Sequence, residues 1–402
     1  MKKIHVIVAT GMWGQDALRY RRHRLADFLQ KQPDTREVIW VCPTPDSQPT
    51  GFSILKNGVC QYVVQDLLPN RMFRFGRFVD LFYRLKLRTL LSKLFSMSGQ
   101  SEFYLWYTCP EFPLLSELFP WDKVVYDCSD LWAAPIGGRV SPAYLMREWV
   151  VSRAEQRIIN RADLIFCTSD YLHEQVMKKV QIDKCSRIFT MENGVEYDLF
   201  TGNKQALNVL PENFSGTVLG YIGGIKPKLD FRLIRAAAAK KKDWLFLFVG
   251  PDGTGQDPAF HELLYEKNVL WIGSVPPAEV PEYMNLVDIG IMPYKPSPYN
   301  QAVFPLKLFE FLAAGKPAVG VNLPSTQKYN EEGVYASLAT DDPDVFVREC
   351  QQMEQLENHE DLQSRRRDRA RAKDWDAIFD EMLDRVAGDS EYETITSAGS
   401  MR

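Results

Sequence analysis

Short, nearly unbroken apolar runs alternate along the chain with stretches in which apolar residues recur every three or four positions. In the first half the runs are KIHVIVAT (3–10), EVIWVC (37–42), FYLWY (103–107), KVVYDC (123–128) and DLIFCTS (163–169). The periodic stretches 16–31, 72–97, 142–161 and 170–180 predict helices between them. The pattern then restarts with TVLGYIG (217–223), WLFLFVG (244–250), NVLWIG (268–273), DIGIMP (288–293) and KPAVGV (316–321). Strands without polar alternation are covered on both faces, and strands separated by helices pair in parallel. Two such series predict an α/β protein of two doubly wound, Rossmann-like domains, 1–205 and 206–372, joined near the polar stretch NKQALNVLPENFSG (203–216). A last segment, 373–402, predicts one amphipathic helix (374–387) that packs back on the first domain, then an unstructured tail from 388. The intervening SRRRDRARAKDWD (364–376) reads as a charged, solvated face.

Composition narrows this only a little. The 402 residues are 45% hydrophobic and 25% charged with a net charge of −4, which excludes a general nucleic-acid binder. No apolar run approaches the ~18 residues that span a bilayer. The start, MKKIHVIVATG, has the look of a signal peptide, but its apolar run is short and no cleavage-like site follows, so it reads as a first buried strand. The seven cysteines (42, 60, 109, 128, 167, 185, 350) have no paired spacing and read as core thiols of a reducing cytosol.

Ligands of doubly wound sheets bind beyond the carboxyl ends of the strands. FPLKLFEFLAAGKP (304–317) begins just after one such end and reads as a helix, with Pro305 at its first position and Gly315 as its left-handed stop. It is apolar nearly all round, yet carries Lys307 and Glu310 one turn apart. A cation in the first turn opposes the helix dipole by about 0.3–1 kcal/mol. A phosphate would resolve that conflict; an i,i+3 salt bridge half in solvent is the plainer alternative. Gly223 and Gly224 end the first strand of the second series, where glycine lets backbone N–H groups approach a phosphate, though paired glycines are also common in purely structural turns. Two more loops, GSVPPAEVP (273–281) and Tyr294 with KPSPYNQAVFP (295–305), reach the same edge. Together they predict a nucleotide-diphosphate site of Gly223, Gly224, Ser274, Val275, Tyr294, Lys307 and Glu310, with Lys307 on a phosphate and Glu310 on ribose hydroxyls. In the first half KVVYDCSDLWAAP (123–135) delivers Asp127 and Asp130 to a strand end; either is a candidate general base, or a cap or brace of the loop.

PLKLFEFLAAGKPAV resembles the pattern that closes the donor site of GT-B glycosyltransferases, and the order GG loop, DWLFLFVGP, NVLWIGSVP, DIGIMPYKPS, PLKLFE follows theirs through the C-terminal half. The resemblance implies a GT-B fold and a nucleotide-sugar donor. Two departures stand out. Ala302 occupies the place, eight positions before Glu310, where retaining members carry an acidic residue, and the GG loop lacks an arginine after its first glycine, where Lys226 and Lys228 are the nearby cations. The Asp130 stretch is similar to the base-carrying segment of the inverting β-glucuronosyltransferase of xanthan assembly, which implies Asp130 as base and Tyr294 and Lys307 as donor contacts; Ser274 replaces a carboxylate of that enzyme. The whole chain resembles the teichuronic acid biosynthesis glycosyltransferases of Gram-positive cell walls. That implies transfer of a sugar, such as glucuronic acid or an N-acetylhexosamine, from a UDP-sugar to a lipid-linked glycan at the inner face of the cell membrane. No D-x-D stands at a strand end, so no metal or other cofactor is expected.

Two basic stretches bear on the acceptor. RMFRFGRFVDLFYRLKLRTLLSKLF (71–95) interleaves aromatic and leucine residues with basic ones, including Arg74, Arg77 and Arg84, against the single acid Asp80. It suits an anionic membrane surface, or else forms a core helix with a cationic outer face. RYRRHRLADFL (19–29) places Arg21 and Arg24 near the first strand end, to meet an acceptor pyrophosphate or to brace a helix. Asp16 is the reserve candidate for the base. The alternatives to a transferase are a nucleotide-sugar epimerase of the same fold and a non-catalytic scaffold subunit; a dehydrogenase is excluded, because no G-x-G-x-x-G follows the first strand of either half.

Overall fold

The computed structural model describes residues 1–15, 18–45, 48–67, 76–136, 142–202 and 207–399. These form two compact units, the first of Met1–Ala134, residues 142–192 and the segment that resumes at Asp376, the second of residues 135–136 and Asn193–Trp375. The first unit is an eight-stranded sheet of β1 (Lys2–Val8), β2 (Thr35–Thr44), β3 (Gly51–Ile54), β4 (Cys60–Gln65), β5 (Ser101–Tyr107), β6 (Lys123–Cys128), β7 (Leu164–Cys167) and β8 (Ile188–Thr190). Its order is β3-β4-β2-β1-β5-β6-β7-β8, parallel except for the edge strand β3. The second is a six-stranded sheet of β9 (Val218–Ile222), β10 (Leu245–Val249), β11 (Val269–Gly273), β12 (Ile289–Pro293), β13 (Ala318–Val321) and β14 (Tyr335–Leu338), in the order β11-β10-β9-β12-β13-β14 and parallel throughout.

Every apolar run named above overlaps one of these strands, and β6, β10, β12 and β13 are buried along their whole length. The helices differ more. The stretch 72–97 is not one helix: within the described part, a turn at Asp80–Tyr83 and a 3₁₀ turn at Arg84–Leu87 precede the helix Arg88–Ser96. The Tyr62 hydroxyl donates to the Lys86 carbonyl within this segment. The units part at Glu192/Asn193, ahead of the 205/206 boundary read from the polar stretch. Val195 pairs with Asp374, and Asn193 Nδ2 donates to the Phe304 carbonyl at 2.7 Å, so this segment packs on the second unit. The terminal helix, Trp375–Gly399, sets Phe379 against Phe28 at 5.4 Å and runs on through the region expected to be an unstructured tail.

The 364–376 stretch is also not simply a solvated face. Arg366 is fully buried and donates to the carbonyls of Gly315, Gly333, Leu356 and Glu357, lowering its pKa to about 10 through burial. Carbonyls past helix ends lack intrahelical partners, and this guanidinium satisfies several of them, pinning the chain just after the Lys307 helix. No helix among the described residues is long and apolar enough to cross a membrane.

Candidate functional site

In the second unit the chain winds outward from β9 to β10 and β11, then returns to lay β12 on the other side of β9. The strand order therefore reverses between β9 and β12, and a doubly wound sheet opens its ligand crevice at the carboxyl ends of such a pair. The helix Lys307–Ala313 begins there, with Lys307 as its first residue and no side chain capping it. It sits close to β12 because Gly290 has no side chain; a Cβ there would stand 2.3 Å from the Phe311 ring. Gly315 follows its end at φ +77°.

Gly223, at the end of β9, has φ +134°, and a Cβ on it would stand 2.5 Å from both Cε and Nζ of Lys307. The lysine thus lies along bare backbone, with Nζ 4.9 Å from the centroid of the Tyr221 ring. The Gly223 N–H donates to the Val249 carbonyl at 2.7 Å, so this amide is spent inside the sheet and not offered to a phosphate as expected; the glycine supplies space. Gly224 is buried, and its carbonyl accepts from the Tyr221 hydroxyl at 3.1 Å. Lys228 lies over the rings of Tyr294 (4.9 Å) and Tyr299 (5.7 Å). Tyr294 is buried, its carbonyl held by Asn322. Glu310 is half-buried one turn after Lys307. Ser274, exposed, and Val275, half-buried, follow β11, two strands from β9 and so about 10 Å along the edge.

Burial pushes the Lys307 ammonium pKa below the usual lysine value; Lys228 and Lys226 push the same way, and Tyr294 and Glu310 oppose them. Among the described residues no carboxylate stands within ion-pair distance of Lys307 Nζ. The arrangement is a cation whose charged form burial disfavours and whose neighbours only partly offset that, a conflict that an anionic ligand group would relieve. The sequence reading missed Tyr221; its signal was a lone polar-tipped ring in an apolar run directly before the glycines.

In the first unit Asp127 is near the end of β6 and accepts from Arg21 Nε with both oxygens, at 3.0 and 2.9 Å. Arg21 also donates to the Glu192 carbonyl and contacts Met382 Sδ; both members of the pair are buried. Arg21 is therefore a brace between β6, the end of the unit's main segment and the terminal helix, not an acceptor contact. Asp127 cannot serve as a base while it holds this guanidinium. Asp130 lies two residues beyond β6, half-buried, with its carbonyl accepting from the Trp132 N–H at 3.0 Å.

The other arginines divide. Arg24 is buried and donates to the Arg19 carbonyl. Arg77 is buried too, paired with Asp66 at 2.7 Å and with Glu111 at 3.3 Å, so it does not face a membrane. Burial raises the Glu111 pKa to about 7 despite Arg77. Arg84 is exposed. Arg74 and Asp16 lie outside the described residues. Among the described residues no group of three or more His, Cys, Asp or Glu side chains is placed to hold a metal ion.

Residues 216–355 match the family model described as Glycosyl transferases group 1. The chain is 55% identical over 382 residues to a protein of Bacillus subtilis (strain 168) named as the teichuronic acid biosynthesis glycosyltransferase TuaH, a match covering 94% of this chain and 96% of that one. Among solved structures, sucrose-phosphate synthase from Thermosynechococcus elongatus superposes with a TM-score of 0.71 at 14% identity, covering 99% of this chain and 100% of the other. Anabaena HepE, solved in complex with UDP and glucose, does so with a TM-score of 0.66 at 16% identity, covering 96% and 100%. At such identities these two structures speak for the fold.

Proposed function

The chain belongs to the teichuronic acid biosynthesis glycosyltransferases, enzymes of GT-B fold, and from that premise we propose that it moves a sugar from a UDP-sugar to a lipid-linked glycan at the inner face of the cell membrane. The observation that carries the donor half is Lys307, a cation that has no carboxylate within ion-pair distance among the described residues, laid over Gly223 where the strand order reverses. A diphosphate supplies the missing charge. HepE, of the same fold, was solved with UDP, which favours uridine as the nucleoside.

In this reading Asp130 accepts the proton of the acceptor hydroxyl as its oxygen bonds to the anomeric carbon. The bond from that carbon to the diphosphate breaks, and UDP leaves with the electron pair. A single displacement of this kind inverts the anomeric configuration. Lys307 stabilises the charge that grows on the departing phosphate, a preorganised electrostatic role that in other enzymes falls to a metal ion. Glu310 accepts from the ribose hydroxyls, and Lys226 and Lys228 add to the positive field around the phosphates. Activity is expected to survive chelation of divalent ions. Glucuronic acid and N-acetylhexosamine donors are the first to try.

Single-turnover transfer from a radiolabelled UDP-sugar to a membrane lipid fraction, with UDP affinity measured alongside, tests the scheme. Asp130→Asn keeps the shape but cannot take the proton, so transfer should slow by ~10²–10⁴-fold while UDP affinity stays near normal. Full activity in that variant would refute the assigned base. A UDP-sugar that changes configuration with no acceptor present would point to an epimerase instead.

A further inference from the structure

The helix Pro142–Arg161 turns its outward face to solvent through Leu145, Met146, Trp149 and Arg153, spaced as one side of a helix is spaced. Such a face on a water-soluble unit is ordinarily polar. Here its first turns are apolar: Leu145 and Met146 are each 55% exposed and Trp149 60%. The guanidinium of Arg153 lies 5.0 Å from the Trp149 ring and follows the apolar part along the same face. A second exposed apolar stripe runs nearby in the first unit. Leu81 (80% exposed), Leu85 (64%) and Phe95 (52%) alternate with the exposed Arg84 and Arg88, and no acid occurs from 81 to 96. The ion pair between Arg157 and Asp80, at 2.9 Å, ties the helix to the beginning of that stripe.

The apolar face is also anchored to the loop that carries Asp130. The Tyr144 hydroxyl donates to the Ala133 carbonyl at 2.7 Å, and Arg147 donates to the Trp132 carbonyl at 3.1 Å. Leu145 and Met146 thus lie between the two residues that bond to the loop two and three positions beyond the proposed base. Exposed aliphatic and indole side chains flanked by arginines suit the boundary between headgroups and acyl chains of an anionic bilayer. A protein partner would require the same apolar area but gives no reason for the one-sided run of guanidinium groups.

We infer that the first unit docks on an anionic bilayer through Leu145, Met146 and Trp149 and the Leu81–Phe95 stripe, which brings the Asp130 loop to the membrane surface. The inference rests on the transferase reading for its purpose, not for its physics. A substrate anchored in the bilayer would then be met at the height of its headgroup.

The test is sedimentation with vesicles of phosphatidylglycerol and phosphatidylethanolamine, or of phosphatidylcholine alone, at low and high salt. Wild type should sediment with the anionic vesicles, less at high salt, and hardly with the neutral ones. The variant Leu145→Ser/Met146→Ser/Trp149→Ser should lose about tenfold or more of its partitioning, because buried apolar area drives insertion. Its substitutions are all exposed, so its melting temperature and UDP affinity should match wild type. Arg84→Glu/Arg88→Glu should lose the anionic preference. Brominated lipids should quench wild-type fluorescence more than that of Trp149→Phe. The inference is overturned if wild type stays in the supernatant, if the triple variant sediments like wild type, or if the triple variant merely turns a dimer into a monomer. UDP calorimetry on the same samples separates the two readings: vesicle binding without UDP binding would remove the transferase reading and leave the docking face standing.

Discussion

Arg21 and Lys307 occupy matching places in the two units. Each is the first residue of a helix reached from a strand that borders the point where its sheet reverses order, the next helix after β1 in the first unit and, past the short helix Pro298–Ala302, the second after β12 in the other. The helix dipole opposes a cation at both positions. In the first unit the conflict is settled within the protein, since Asp127 meets Arg21 with both oxygens and the Glu192 carbonyl takes a further hydrogen bond. In the second it is left open: Lys307 lies over the Tyr221 ring and the bare backbone of Gly223, and burial pulls its pKa down. A cation closed on a carboxylate of the protein is architecture. One for which no carboxylate among the described residues stands within ion-pair distance is a candidate site.

The largest effect expected from this contrast concerns Asp127. Removing one partner of a buried ion pair strands the other charge, which typically costs about 3–5 kcal/mol. Asp127→Asn should therefore lower the urea midpoint strongly, and adding Arg21→Met should recover much of the loss. A single variant that unfolds at the wild-type midpoint would mean that the pair is not a brace, and the contrast would break at its first term.

Lys307 should behave the other way. Lys307→Met removes a cation that burial disfavours and that has no carboxylate within ion-pair distance among the described residues, so stability should hold or rise slightly. UDP binding should weaken by ~1.5–3 kcal/mol, the range for a charge-assisted hydrogen bond. Calorimetry gives the affinity and thermal melting the stability. Loss of stability comparable to that of Asp127→Asn would make Lys307 a second brace; unchanged UDP affinity would put the phosphates elsewhere.

This contrast was half legible in the sequence. The first-turn lysine in an otherwise apolar helix, next in space to a strand-end glycine, was readable because both signals are local: helical periodicity and a GG turn. The fate of the arginines was not. Arg21 finds its carboxylate 106 residues away, and Arg366 finds carbonyls at Gly315 and Gly333, so nothing in their own neighbourhood distinguishes a brace from a solvated face. Arg77 reads as a surface charge for the same reason, its partners Asp66 and Glu111 lying outside its own helical neighbourhood. The long apolar strands were plain from their unbroken runs. β4 was not, because Gln61 interrupts CQYVVQ although it is buried, and β3, β8 and β14 are too short to carry a pattern. The apolar outer face of Pro142–Arg161 escaped because periodicity predicts a helix without saying which side the fold will cover.

The smallest effect is a proton, and it sharpens the contrast most directly. Burial holds the Lys307 pKa below the usual lysine value in the unliganded protein. The folded state then binds fewer protons than the unfolded chain between the lowered and the usual value, so this residue's contribution to stability improves as pH rises through that window. A bound diphosphate restores a negative neighbour and raises the pKa again. UDP binding should therefore take up a fraction of a proton once the pH approaches the lowered value, and affinity should fall as the pH climbs through it. Calorimetry in two buffers of different ionisation enthalpy, near neutrality and at alkaline pH, measures that uptake. Titration of the uracil ring occurs equally in wild type and in Lys307→Met and cancels in their difference. An uptake that is the same in both proteins, or absent from both, would mean that no phosphate reaches Lys307, and that the open cation of the second unit is as closed as its counterpart in the first.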